Sequence, residues 1–66
     1  MKTKQEIGEC LRTLRGTKTT NEVCLALNIS RSALAMYETG KRVPRDEIKV
    51  KLAQYYKTSI ESIFFS

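Results

Sequence analysis

Histidine and tryptophan are both absent from this 66-residue chain, and cysteine occurs only twice. Without histidine no zinc site of the usual Cys/His kind can form, and Cys10 with Cys24 cannot supply a four-ligand cage. No metal or other cofactor is therefore expected. The commonest general base is missing too, and no glycine-rich phosphate loop occurs. The one adjacent acidic pair, Asp46 and Glu47, would point about 100° apart on a helix. The expectation is a binding protein rather than an enzyme.

Long apolar runs are lacking as well: none approaches the ~20 residues of a membrane span. Met1, Lys2, Thr3 and Lys4 make a basic start, but Gln5 and Glu6 follow where a secretory signal would place its apolar stretch. A cytoplasmic protein is expected, with no membrane partner. Both cysteines fall on faces that read as apolar, so free buried thiols are expected. A disulfide would need an oxidising compartment. Acidic residues are in the minority, seven against twelve Lys and Arg, for a formal charge of +5. Such a balance favours a polyanionic partner, nucleic acid or an acidic surface, although basicity can also serve solubility alone.

What is present suffices for one small domain, residues 1–66. Hydrophobic residues make up 41% of the chain, enough for a core and too much for a disordered tail. A chain this short buries only ~60% of its unfolded surface, so a deep pocket for a small-molecule ligand is hard to build. Domains of this size usually rely on regular helix packing, a staple or a partner subunit.

Chain breakers are few: three glycines and one proline. Gly16, Asn28, Gly40 and Pro44 are well spaced, and between them the apolar residues recur with helical period. From Lys4 to Arg15, Ile7, Cys10, Leu11 and Leu14 form one stripe, with Thr3 and Glu6 as a capping box and Gly16 as the stop. From Thr20 to Leu27, Thr19 and Glu22 make a second box before Val23, Cys24 and Leu27, and Asn28 suits a left-handed turn. Ile29 should plug inward. Ser30 caps a third segment reaching about Glu38, with Leu34 and Tyr37 inward and Gly40 closing it. After a basic connection, Lys41 to Arg45, a fourth helix starts at Arg45 or Asp46. It buries Ile48, Leu52, Ala53 and Tyr56 while Lys49, Lys51 and Lys57 face water. Ser59 caps a short fifth segment carrying Ile60, Ile63 and Phe64. No stretch alternates with period two for long enough to argue a strand.

Two short helices joined at Asn28-Ile29, from about Thr19 to Gly40, have the spacing of a helix-turn-helix. In that arrangement the first helix braces across the phosphate backbone and the second presents its N-terminal residues to base edges in the major groove. The run NEVCLALNISRSALAMYETGKRVPRDEI resembles the phage-repressor and Cro-like helix-turn-helix family of bacterial transcription regulators. The matching elements are Glu22, Val23, Cys24, Asn28, Ile29 and Ser30, then Tyr37, Glu38, Gly40, Lys41, Arg42 and Pro44; IGECLRTLRG is similar to the family's first helix. Cys24 stands where Ala is usual, Asn28 where Gly is usual, and Thr20 where a Gln often makes contacts. The loop from Arg15 to Thr19 is short.

The resemblance implies an all-α, compact five-helix domain of phage-repressor type. It implies that Arg31, Ser32 and Met36 read bases, with Arg suited to guanine and Met36 or Ala35 to a thymine methyl; the alternative for Arg31 is a phosphate contact. Lys18, Thr20, Thr39, Lys41 and Arg42 surround that helix in sequence and are candidates for the DNA backbone, the alternative being a solvated basic loop. The resemblance also suggests that Glu38 forms an internal ion pair with Arg15 or Arg12. The expected partner is double-stranded DNA, and the expected function is a sequence-specific transcription regulator, most simply a repressor. A protein-interaction module of antirepressor or antitoxin type is the competing reading. One such module covers little DNA, which suggests a homodimer on a two-fold operator. Ile60, Ile63, Phe64 and Phe65 are the candidate dimer surface; the alternative is that the first three close the core and leave Phe65 partly exposed.

Overall fold

A computed structural model describes residues 2–65. It places five helices along them, α1 (Lys4–Arg15), α2 (Thr20–Leu27), α3 (Arg31–Glu38), α4 (Asp46–Tyr55) and α5 (Ile60–Phe64), with no strand among the described residues. Four of these helices begin at a hydroxyl. Thr3, Thr19, Ser30 and Ser59 each accept a hydrogen bond from the backbone N–H three residues on, which satisfies an otherwise orphaned donor. At Thr3 the box closes in both directions: Thr3 N–H donates to Glu6 Oε1 at 2.8 Å and Glu6 N–H donates to Thr3 Oγ1 at 3.1 Å. The bond from the Thr3 amide holds the Glu6 carboxyl below its ordinary value. At Thr19 only the hydroxyl half forms, so the second box expected from the sequence is incomplete. Helix α4 starts after Arg45 without a side-chain cap and instead carries Asp46 and Glu47 in its first turn.

Helices α1, α2 and α3 stop where the backbone takes a positive φ. Gly16 (φ 57°) follows α1, and Asn28 (φ 56°, ψ 49°) follows α2. Helix α3 gives way at Thr39, and Gly40 takes the positive φ of 77° one residue later.

All five helices feed one core. Ile7, Leu11, Val23, Leu34, Leu52, Ile63 and Phe64 are its fully buried side chains, each worth about 1.5–3 kcal/mol of hydrophobic burial. Ile29 is half-buried and packs against this core from the α2–α3 turn. Two expectations are corrected here. Ile63 and Phe64 are completely buried, so they face the core and offer nothing to a second copy; Ile60 is half-buried and only Phe65, 46% exposed, lies open. The reason is the shortness of α5, which must turn its apolar side inward to close the globule. The N-terminal segment fastens it there, with Lys2 N–H donating to Phe64 O at 3.1 Å and Lys2 Nζ to Ser62 O at 2.6 Å.

The second correction concerns Lys49. Its side chain is only 12% exposed, with the ammonium 5.5 Å from the Phe64 ring, 5.3 Å from the Phe65 ring and 3.7 Å from Asp46. The aliphatic stem lies along apolar surface while the charge sits over two aromatic faces.

Candidate nucleic-acid interface

Helix α3 is held from behind by α1. The approach is so close that Gly8 has no room for a side chain: a Cβ there would lie 2.5 Å from Glu38 O and 2.9 Å from Tyr37 O. Backbone therefore rests on backbone, and the polar groups of the crossing are satisfied around it. Arg15 donates from Nε to Glu38 Oε2 at 2.8 Å and from Nη2 to Oε1 at 3.1 Å, a two-pronged ion pair. The bond to Glu38 raises the pKa of the Arg15 guanidinium above its already high value. Arg12 takes a different task, donating from Nη2 to the Glu38 carbonyl at 3.2 Å. The two arginines that the sequence left as alternatives thus divide the two acceptors of one residue. Gly8 and this role of Arg12 went unread in the sequence. The available signal was a glycine inside an amphipathic helix, which costs ~1 kcal/mol against alanine and so implies a packing reason.

From the front, α2 meets α3. Cys24 is buried at this contact as a free thiol, while Cys10 on α1 is free and half-buried. Burial pushes the Cys24 thiol pKa up, and the Arg31 charge pulls it back slightly. With Leu34, Tyr37 and Glu38 turned inward, the outer side of α3 carries Arg31, Ser32 and Ala35 in the open and Met36 half-buried. Arg31 and Ser32 form the first turn, next to the Ser30 cap. This face offers a guanidinium, a hydroxyl and two apolar groups along a helix ~12 Å long.

The flanking candidates fall into two groups. Lys41 and Arg42 are exposed past the end of α3, and their backbone N–H groups both donate to Met36 O, at 2.9 and 3.2 Å. That doubly used carbonyl folds the basic connection back beside the helix. Gly40 makes the fold possible, since it combines positive φ with backbone of Lys4 and Gln5 within 3.3 Å of where its Cβ would be. Thr20 is exposed in the first turn of α2. The remaining two candidates are otherwise engaged. Thr39 Oγ donates its proton to Ala35 O at 2.7 Å, leaving only an acceptor, which a phosphate cannot use. Lys18 holds its ammonium 5.6 Å from the centre of the Tyr55 ring, on the α4 side of α2.

With this geometry in place, comparison with known proteins places the chain. A family model described as a helix-turn-helix domain matches residues 6–62. The chain belongs to the helix-turn-helix domain family. Among solved structures, this helix-turn-helix domain is similar to the restriction-modification controller protein C.AhdI from Aeromonas hydrophila. That match has a TM-score of 0.82 and 24% identity, and covers 92% of this chain and 96% of that one. It is also similar to the clp gene regulator ClgR from C. glutamicum, with a TM-score of 0.77 and 22% identity over 91% of this chain and 80% of that one. At these identities the likeness is one of fold alone. No curated protein matches the sequence.

Proposed function

We propose that this helix-turn-helix DNA-binding domain is a sequence-specific transcription repressor of the cytoplasm, acting on a two-fold operator as a homodimer. The observation that carries the reading is the outer face of α3. Arg31, Ser32 and Ala35 are exposed there, while the Glu38–Arg15 pair fixes the helix from behind. Laid in a major groove, Arg31 suits the two acceptors of a guanine, and Ala35 with Met36 suits a thymine methyl. Thr20 at the start of α2, with the free amides of that turn, suits a phosphate. Lys41 and Arg42 add charge that reads no sequence. Thr39 and Lys18 would have to leave their present partners to join them. Phe65, 46% exposed, with Ile60 beside the core, is the apolar surface on which a second copy would sit. A dimer would span half-sites about one helical turn apart.

Selection from a random duplex library, followed by salt titration of the winners, tests this. One palindromic sequence should be enriched. Arg31→Ala should relax preference at one base position at a cost of about 1–3 kcal/mol, whereas Lys41→Ala should weaken all sequences and lower the salt slope by about one. No enrichment, or equal effects from the two substitutions, defeats the assignment and leaves the protein-interaction reading.

A further inference from the structure

We propose that the shallow cleft between the C-terminal ends of α2 and α4 docks an acidic segment of a partner protein, one presenting an apolar side chain between two carboxylates. The cleft has a volume of about 370 Å³ and is lined by Ala26, Leu27, Asn28, Lys51, Gln54 and Tyr55. None of these belongs to α3, so the docking site is separate from the proposed base-reading residues; it competes with that reading only for Lys18, which is held here at the Tyr55 ring.

Its chemistry is uneven in a useful way. Tyr55 supplies an aromatic surface, flanked by two ammonium groups. Lys18 lies over the ring at 5.6 Å, and Lys51 sits one turn back along α4 with its Nζ donating to Leu27 O at 3.4 Å. An ammonium has three donors, so each lysine keeps hydrogen-bonding capacity for a carboxylate. No acidic residue lines the cleft; Glu22, one turn earlier on α2, is the nearest along that helix. Two cations near one exposed edge of an aromatic side chain, with no carboxylate in the lining, complement a segment that carries carboxylates on either side of an apolar group. The open, shallow form suits a chain segment lying across it; small ligands favour enclosed pockets that bury most of their surface. A nucleic-acid backbone would satisfy the lysines but leave Ala26 and Tyr55 wet.

The test is a titration of the isotope-labelled full chain, followed by amide chemical shifts, with a capped Glu-Leu-Leu-Glu peptide as probe. The expected result is saturable shifts over Leu25–Asn28 and Lys51–Tyr55, with Arg31–Met36 unmoved. Kd should rise roughly two- to fivefold in Lys51→Ala and again in Lys18→Ala, stay unchanged in Lys51→Arg, and binding should vanish when Ser replaces the peptide leucines. Because Lys51 also supports the α2 carboxyl end, the Lys18→Ala variant and the peptide series decide the matter if Lys51→Ala loosens the fold. No saturable shift, shifts centred on α3, or equal effects at the cleft from a leucine-free acidic peptide or a DNA duplex would each overturn the proposal.

Discussion

Gly8 has no side chain, and for that reason α1 and α3 can meet backbone to backbone. Alanine at this position must displace the Glu38 carbonyl, 2.5 Å from its Cβ, and that carbonyl is also the acceptor for Arg12. Forcing atoms into a packed contact costs about 1–3 kcal/mol. Gly8→Ala is therefore expected to destabilise by about 2–3 kcal/mol although alanine is the better helix former, as a urea midpoint would register. Tyr56 is the opposite case. Its hydroxyl is buried without a hydrogen-bond partner among the described residues. Burial, aided by the nearby Glu38 charge, pushes its pKa up to about 12 from the ordinary 10. The folded state thus binds this proton more tightly than the unfolded state does. The corresponding stability is present below pH 10 and lost as pH rises towards 12. Tyr56→Phe should leave the neutral-pH stability equal or slightly higher and should shrink the alkaline loss. Denaturation midpoints compared at neutral and alkaline pH check both halves of that statement.

Among the elements, the C-terminal ends of helices depend on neighbours more than on their own residues. Helices α2, α3, α4 and α5 carry no basic residue in their last turns. Cations arrive instead from elsewhere: Lys51 on Leu27 O, Arg12 on Glu38 O and Lys2 on Ser62 O. Each ties two elements together and offsets the negative end of a dipole. The α2–α3 turn is sharper in its demand, because Asn28 holds φ 56° and ψ 49°. Asn28→Ala should cost about 1–2 kcal/mol and Asn28→Gly nothing or less, again by denaturant midpoint.

These facts explain how far the sequence could be read. Helix starts and stops were legible because a hydroxyl cap, an apolar period and a left-handed stop are local features, and the spacing of α2 and α3 followed from them. The ion-pair partner stayed open between Arg12 and Arg15 because both sit on one face of α1, and only the tertiary crossing assigns each its acceptor. Lys49 was misread for the same reason, and the place of Lys18 beside Tyr55 was equally invisible: a long side chain goes where a neighbouring ring is, and no spacing rule records that. Five residues of α5 were too few to tell a core face from a partner face.

For the whole molecule, a stability of ~3–10 kcal/mol is the expectation for this length, so single core deletions matter. Phe64→Ala should cost about 3–5 kcal/mol and leave much of the population unfolded, seen as loss of helical circular dichroism at moderate temperature. Phe65→Ser, at a half-exposed site, should leave the melt almost unchanged. A dimer that uses the proposed surface would weaken in the same variant, as sedimentation would record.

The backbone contact at Gly8 has one more consequence, for how new binding preferences can arise. What sets the pose of α3 is a glycine, two arginines of α1 and the inward side chains Leu34, Tyr37 and Glu38. None of the outward side chains, Arg31, Ser32 or Ala35, takes part. The lettering on the outside of the helix can therefore be rewritten without resetting the frame that carries it; under the proposed function, a change of operator would not have to pass through a misfolded ancestor.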